Sequence, residues 1–529
     1  MSWKIFRNFI MAAAILSGCV QPQEWGSEWN GGGESSEAPV DITQMYGAVP
    51  ASTTKNVAVL LPLSGSGGEL GTGIQHAIEI AFFQQRPENI AVSFHDLSGR
   101  MEDKIRVIED VVAFGPDMII GPVFADDVAL LRDLKPANIP ALTFTSAKQQ
   151  LGGGIFTMAL MPGQAVESIV RQIASDGKKR LVILAPDTMQ GHMLANASVD
   201  STAIYGVKIE ALYLYTEGDA EDMRQLAEKA SLTESRKANL VRSKEILSEI
   251  LIKEKLTAAE KNLLKTQLED LNKRDSLGEV PFDAVLMLGG AADSANLGAY
   301  LRYCDVAAGE VAFYGTALWD AESVFRDSAL VGGEYAAMPR ISESFVKLYS
   351  EIEGSRPSRM NTMGYDAAML SIKALSGEKP SGAYLLNPAG YVGLDGLMRL
   401  LPSGESERAL QIMQLEGYRA PIIKKAAASD FSKPLYRATG YDLDRPVRKK
   451  LATDGYAPLD YIRLPEKFVS KYKERKLGAI YDDSVEQFAP DAEHVEDATE
   501  TVRDETFMPA KLSPVKRRLI DQVKMKSKS

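Results

Sequence analysis

Asn56-Val-Ala-Val-Leu-Leu61 runs directly into Pro62-Leu-Ser-Gly-Ser-Gly-Gly-Glu-Leu-Gly-Thr-Gly73, and then into Ile74, Ala77, Ile78 and Ala81. A short unbroken apolar run suits a strand covered on both faces. The Gly- and Ser-rich stretch supplies a turn, and the spaced apolar residues give the following segment one apolar stripe. Together they predict strand, loop and helix, the opening unit of a parallel sheet.

The same alternation continues outward. Strand 90–95, helix 103–114, strand 117–120, helix 126–134 and strand 140–144 follow in turn. A second series begins after Met161-Pro162, with helix 165–176, strand 180–185, a helix near 191–205 and strand 207–214. It resumes at strand 283–288, followed by a helix to Tyr303 and strand 311–314. A third stretch holds strand 334–338 and helices near 341–353 and 361–376, and 387–417 reads as strands and turns. Strand alternating with helix is the rhythm of doubly wound α/β sheets, whose right-handed crossovers put helices on both faces.

Residues 220–278 interrupt that rhythm. Leu247, Ile250, Leu251 and Ile252 cluster in a Lys- and Glu-rich background, and Thr257-Ala-Ala-Glu260 is a capping-box pattern that predicts a helix start at 258. The segment reads as a helical insertion in the second lobe, either a solvated decoration or a partner surface. Removing 225–276 is expected to leave the fold intact. Beyond 421 the packing signal fades. Residues 482–505 hold ten acidic side chains and one basic, whereas 511–528 hold seven basic and one acidic, so 421–529 reads as a largely disordered tail.

The N-terminus carries its own signal. Lys4 and Arg7 precede an apolar run from Phe9 to Leu16, and Ser17-Gly18-Cys19 follows. This is the layout of an export signal over 1–18, with a run too short to span a bilayer. The ending resembles the lipobox of bacterial lipoproteins, which implies a lipid on Cys19 and a membrane anchor, with Val20 leaning towards the outer membrane. Residues 19–54 then read as a lipidated flexible tether that reaches at most about 120 Å.

Composition narrows the function. A net charge of −11 argues against nucleic acid as a partner. The four histidines, His76, His95, His192 and His494, form no metal-ligand spacing, and no cofactor or metal is expected. Cys304, the second of two cysteines, reads as a buried apolar residue. No Gly-x-Ser-x-Gly elbow or Walker loop occurs, so the chain is not expected to be an enzyme.

Several stretches in order resemble the type I periplasmic binding proteins, the Leu/Ile/Val-binding family. They are 60–65, Gly121-Pro122, Ile139-Pro-Ala-Leu-Thr-Phe-Thr-Ser146, Gly364-Tyr-Asp-Ala-Ala-Met369 and Gly390-Tyr-Val-Gly-Leu-Asp-Gly396. The resemblance implies two doubly wound parallel-sheet lobes with a hinge and central cleft. By analogy the chain crosses near 160, 320 and 388. Lobe 1 is then 55–160 with 321–387, and lobe 2 is 161–320 with 388–420. Within that family, Tyr300-Leu-Arg-Tyr-Cys-Asp-Val306, Tyr314-Gly-Thr-Ala-Leu-Trp-Asp320, 332–339 and Glu407-Arg408 are similar to the penicillin-binding protein activators. Those are outer-membrane lipoproteins that stimulate peptidoglycan synthases from the periplasmic side. The best-known members carry a helical-repeat domain where this sequence has 19–54.

Ligands of open α/β sheets sit beyond the carboxyl ends of the strands. That rule marks Ser64, Gly65, Ser66, Gly121, Pro122, Val123, Thr143, Thr145, Ser146 and Asp187, with Gly289 and Thr316 after later strands. Hydroxyls and free N–H groups suit a carboxylate, and Asp187 suits an ammonium, so an amino-acid-like ligand fits. The same residue types also serve any strand-to-helix turn. Unlike amino-acid binders, the chain has Val123-Phe124-Ala125 where a hydroxyl is usual, and Thr188-Met189-Gln190 where an aromatic is common. Two functions follow: an activator that binds a peptidoglycan synthase, or a solute receptor for amino-acid or amide-like ligands of a transporter.

Overall fold

The computed structural model describes residues 54–306, 309–377, 381–417, 419–437 and 462–473. The signal segment, Cys19 and the tether up to residue 53 lie outside the described residues, as do the segregated charge blocks of 482–528.

The first lobe is laid down by β1 (Lys55–Leu61), α1 (Gly68–Gln85), β2 (Ile90–Asp96), α2 (Met101–Phe114), β3 (Met118–Ile120), α3 (Ala125–Leu134), β4 (Ala141–Thr143) and β5 (Ile155–Thr157). Its five strands are parallel in the order β2-β1-β3-β4-β5. The unbroken apolar run of β1 has a direct cause. Successive side chains point to opposite faces of a sheet. Val57, Val59 and Leu61 pack with Ile74 and Ile78 of α1. Ala58 and Leu60 pack on the other face, with Ile108 of α2 and Leu131 of α3. Each large aliphatic so buried contributes about 1.5–3 kcal/mol.

The second lobe adds α4 (Pro162–Ser175), β6 (Arg180–Pro186), α5 (Met189–Tyr205), β7 (Lys208–Tyr215) and α6 (Ala220–Ala230). After the insertion come β8 (Ala284–Met287), α9 (Ala291–Tyr303) and β9 (Ala312–Gly315); the insertion's own helices are α7 (Thr233–Lys253) and α8 (Ala258–Leu271). Val182 and Leu184 of β6 face one core cluster, and Leu181, Ile183 and Ala185 face another. Thr257 and Glu260 form the expected capping box at the start of α8.

The crossings differ from the expected positions. α10 (Glu322–Phe325) is followed by β10 (Glu334–Ala337), which pairs in parallel with β9 inside the second sheet. The return to lobe 1 therefore comes after 337, not near 320. α11 (Glu343–Glu353), α12 (Arg359–Ser376) and α13 (Ser381–Leu385) then lie with lobe 1, where α12 buries Met363, Ala367 and Leu370 beside Ile74 and Ile78.

Strands β11 (Tyr391–Gly393), β12 (Gly396–Leu400) and β13 (Ser406–Arg408) form a small antiparallel sheet. Met398 and Leu400 bury in the lobe 1 core with Met158, so the third crossing falls after 408 rather than near 388. β14 (Gln411–Gln414) then pairs antiparallel with β10, and β15 (Ile422–Lys425) pairs antiparallel with β14.

Part of the expected tail is thus structured: 422–425 is a sheet edge. A second piece, α14 (Glu466–Lys473), inserts Phe468 and Tyr472, with Ile462, among Leu247, Ile250 and Leu264 of the insertion. Amphipathic helices are held by such packing more than by intrinsic propensity. The insertion itself begins later than 220. α6 buries Met223, Leu226, Ala227 and Ala230 in the lobe 2 core, so only the chain from Thr233 onward is added to it.

Candidate functional site

The residues marked from sequence fall at the carboxyl ends of neighbouring strands in each lobe. Positions 64–66, 121–123 and 143–146 follow β1, β3 and β4, which are adjacent in the first sheet. Asp187, Gly289 and Thr316 follow β6, β8 and β9, adjacent in the second. The sequence therefore groups each lobe's set at one sheet end.

Their polar groups are largely engaged within the protein. Ser64, Gly65 and Ser66 are exposed in the turn before α1. The Ser98 hydroxyl donates to Ser64 O at 2.9 Å and accepts the Ser64 N–H at 3.2 Å. Burial acts to raise the neighbouring Asp96 carboxyl, but hydrogen bonds from Ser64, Ser98 and the Leu63 N–H outweigh it and hold the group below its ordinary value.

Gly121 is required by geometry: its φ is +96°, and a Cβ there would lie 2.1 Å from Leu60 O. Pro122 and Val123 are buried behind it. Thr143 is fully buried and donates to Phe156 O at 3.1 Å, while Thr145 Oγ1 accepts the Ala147 N–H at 3.1 Å. Ser146 is half-buried. Asp187 is exposed and pairs with His192 Nε2 at 2.6 Å. Gly289 abuts the Tyr215 hydroxyl so closely that a Cβ would sit 1.9 Å from it. Thr316 caps the turn that follows β9, accepting the Leu318 N–H at 3.4 Å.

The hinge holds functional candidates that local sequence did not mark. Arg359, at the start of α12, donates to Asp395 Oδ1 at 2.7 Å, to Pro339 O at 2.8 Å and to Asp320 Oδ2 at 3.2 Å. One side chain thus ties the second crossing, the small sheet and the loop after β9. Asp395 is fully buried and also accepts the Thr362 hydroxyl at 2.8 Å. Asp366 accepts the N–H groups of Leu394 at 2.8 Å and Asp395 at 3.3 Å. Burial first, and then the Asp395 carboxylate, push the Asp366 carboxyl up to about 6.

Arg408 is buried completely in the third crossing. It donates through Nη2 to Met158 O in the first crossing, and its own N–H donates to Gln164 Oε1 at 3.1 Å. Burial pulls its guanidinium down, while Asp395 and Asp366 act to keep it charged. Arg359 is the cation in direct contact with Asp395, whereas Arg408 makes no ion pair and its Nε and Nη1 have no hydrogen-bond partner among the described residues. Asp320, Asp366, Asp395 and Arg408 all lie inside the stretches that carried the family resemblance; only the pairing was invisible.

Residues 21–263 match the family described as "LppC putative lipoprotein". Among curated proteins, none matches the chain. A solved structure from Rhodospirillum rubrum, a "putative branched-chain amino acid ABC transporter", is 15% identical, with a TM-score of 0.52 over 69% of this chain and 98% of that one. An ABC transporter substrate-binding protein from Sphaerobacter thermophilus is 18% identical, with a TM-score of 0.49 over 72% and 100%. The C-domain of LpoA (YraM) from Haemophilus influenzae, a regulator of PBP1A, is 17% identical, with a TM-score of 0.48 over 70% and 100%. The fold is that of the type I periplasmic binding proteins, as the sequence resemblance implied.

Proposed function

We propose that this chain, whose residues 21–263 match a lipoprotein family on a periplasmic-binding-protein fold, is a lipid-anchored envelope protein that binds and activates a peptidoglycan synthase. The observation that carries the reading is the added helical layer. Helices α7, α8 and α14 share an apolar core of their own beside lobe 2. A receptor needs only two lobes and a cleft, whereas a docking protein gains from an extra presenting surface. Ile252 is 81% exposed and Val241 57% exposed on that layer, which leaves apolar surface for a partner. The engagement of Asp187 by His192, and of Thr143 and Thr145 by main-chain groups, further favours docking over capture of a small zwitterion. The anchor on Cys19 would place the protein at the periplasmic face of the outer membrane.

The test is co-purification of the full chain with bifunctional penicillin-binding proteins, followed by assays of glycan polymerisation and cross-linking. Binding that Ile252→Asp and Val241→Asp together weaken supports the reading. Absence of binding and an unchanged synthase rate would sink it.

The second reading, a solute receptor for amino-acid or amide-like ligands, is favoured by the hinged two-lobe fold itself. A thermal-shift screen of amino acids and muropeptides separates the two, because a ligand held by the folded state raises its stability.

A further inference from the structure

A cavity of about 540 Å³ opens beside the hinge, away from the strand ends that carry residues 64–66, 121–123 and 187. Its walls come from the loop after β9, the second crossing, the α11 and α12 ends, and residues 419–420. Five guanidiniums line it: Arg326, Arg340, Arg356, Arg359 and Arg419. Three carboxylates, Asp320, Glu322 and Glu343, stand against them. The wall is thus cationic by two charges on a chain whose net charge is −11.

The guanidiniums are unequally employed. Arg359 is committed to the hinge through Asp395 and Asp320. Arg340 donates to the Pro421 carbonyl at 2.6 Å, a contact that leaves its charge uncompensated. Arg326 comes no nearer than 3.7 Å to Glu322, and Arg356 no nearer than 3.9 Å to Glu343, beyond hydrogen-bond range. Arg419 has no hydrogen bond or ion pair among the described residues. Each guanidinium offers five N–H donors in a planar fork that matches a carboxylate. Like charges facing one cavity repel, and a multiply charged anion removes that cost.

We propose that this cavity binds a short acidic peptide, a ligand with at least two carboxylates and a free ammonium. Arg326, Arg356 and Arg419 take the carboxylates. Glu322 and Glu343, each only loosely paired, take the ammonium and main-chain N–H groups. Phe325, Ile341 and Pro357 cover the aliphatic stems. The volume lies within the about 300–1,000 Å³ that holds small-molecule ligands. Because the walls belong to both lobes, an occupant bridges them beside the Arg359 contact. The site does not depend on the synthase reading.

The test is isothermal titration of the full chain with the tripeptide Glu-Glu-Glu, with Lys-Lys-Lys and inorganic pyrophosphate as controls. One-to-one binding of Glu-Glu-Glu is expected. Arg356→Gln and Arg419→Gln should each weaken it about tenfold, the share of one charge-assisted contact. Raising the salt from about 0.05 to 0.3 M should weaken it severalfold, since the site is open to solvent. Neither substituted side chain makes a hydrogen bond among the described residues, so an unchanged melting temperature of the unliganded variants checks their folding. No binding of Glu-Glu-Glu, binding by both variants as tight as by the unsubstituted chain, or a response to pyrophosphate alone would overturn the proposal.

Discussion

Arg359 Nη1 lies 2.7 Å from Asp395 Oδ1, and Asp395 has no exposed side-chain surface. The pair joins the first turn of α12 to the tight turn between β11 and β12. The same guanidinium reaches Asp320 on the loop after β9, at 3.2 Å, so lobe 1, the small sheet and lobe 2 meet on one side chain. A planar fork can serve three directions at once, which a lysine ammonium does with less geometric specificity.

Removing that guanidinium strands a buried carboxylate. Arg359→Ala is expected to lower the unfolding free energy by about 3–5 kcal/mol, read by urea denaturation. Arg359→Lys should recover part of the loss, because it restores charge without the fork. A loss under about 1 kcal/mol in the alanine variant would show that Asp395 finds another partner.

Asp366 gives the hinge a pH dependence. Its carboxyl is pushed up to about 6 by burial and then by Asp395, against the pull of two N–H donors. The folded chain therefore keeps a proton that the unfolded chain releases near pH 4. This contribution is fully present below about pH 4 and is lost as pH rises through about 6, a change of about 3 kcal/mol. Asp366→Asn cannot ionise, so the difference in unfolding free energy between wild type and variant should vary with pH across that window. A difference that stays constant from pH 4 to 7 would refute the assignment.

The sheet units were legible because their signal is local. The alternation of Val57, Val59 and Leu61 with Ala58 and Leu60 reads as a doubly covered strand before any partner is known. What local sequence does not carry is the choice of partner. Glu334-Tyr-Ala-Ala337 reads as a strand, yet only its bonds to β9 and β14 assign it to lobe 2. The hinge charges were illegible for the same reason: Arg359 and Asp395 stand 36 positions apart. Phe468 and Tyr472, four positions apart in a Lys-rich stretch, resembled solvated tail until the insertion supplied the face they cover. Among the residues marked as a ligand cleft, Thr145 and Thr316 accept main-chain N–H groups in local turns, and Asp187 has His192 as its partner.

The segment after β15 is fastened to the hinge as well. The Tyr436 hydroxyl donates to Arg408 O at 2.5 Å, the Leu435 N–H to Glu407 Oε1 at 3.3 Å, and the Arg437 N–H to Glu167 Oε1 at 2.6 Å. Tyr436→Phe removes one of these bonds and should cost about 1 kcal/mol in equilibrium unfolding. Truncation after residue 428 removes all three, and it should raise amide exchange in β13 more than in β1. Equal exchange in the two strands would show that the segment does not brace the hinge.

The added helical layer can be separated from the lobes by substitution. Phe468 and Tyr472 are 5% and 2% exposed, packed against α7 and α8. Lys467 also pairs with Glu260 at 2.8 Å, but an exposed pair of this kind contributes little. Phe468→Ala should therefore cost about 3–5 kcal/mol of the layer's own stability, through lost apolar contact and the cavity left behind. Limited proteolysis should then cleave within 233–277 while the sheets stay protected, because β1 and β6 draw on other core clusters. Deleting 225–276 should behave differently. It removes Leu226, Ala227 and Ala230 from the lobe 2 core, so the whole second sheet should lose stability, contrary to the expectation from sequence alone. If the layer is the docking surface, Phe468→Ala should also abolish synthase binding at a temperature where the sheets remain folded. Undiminished binding with the layer cleaved would move the contact to another face of the protein.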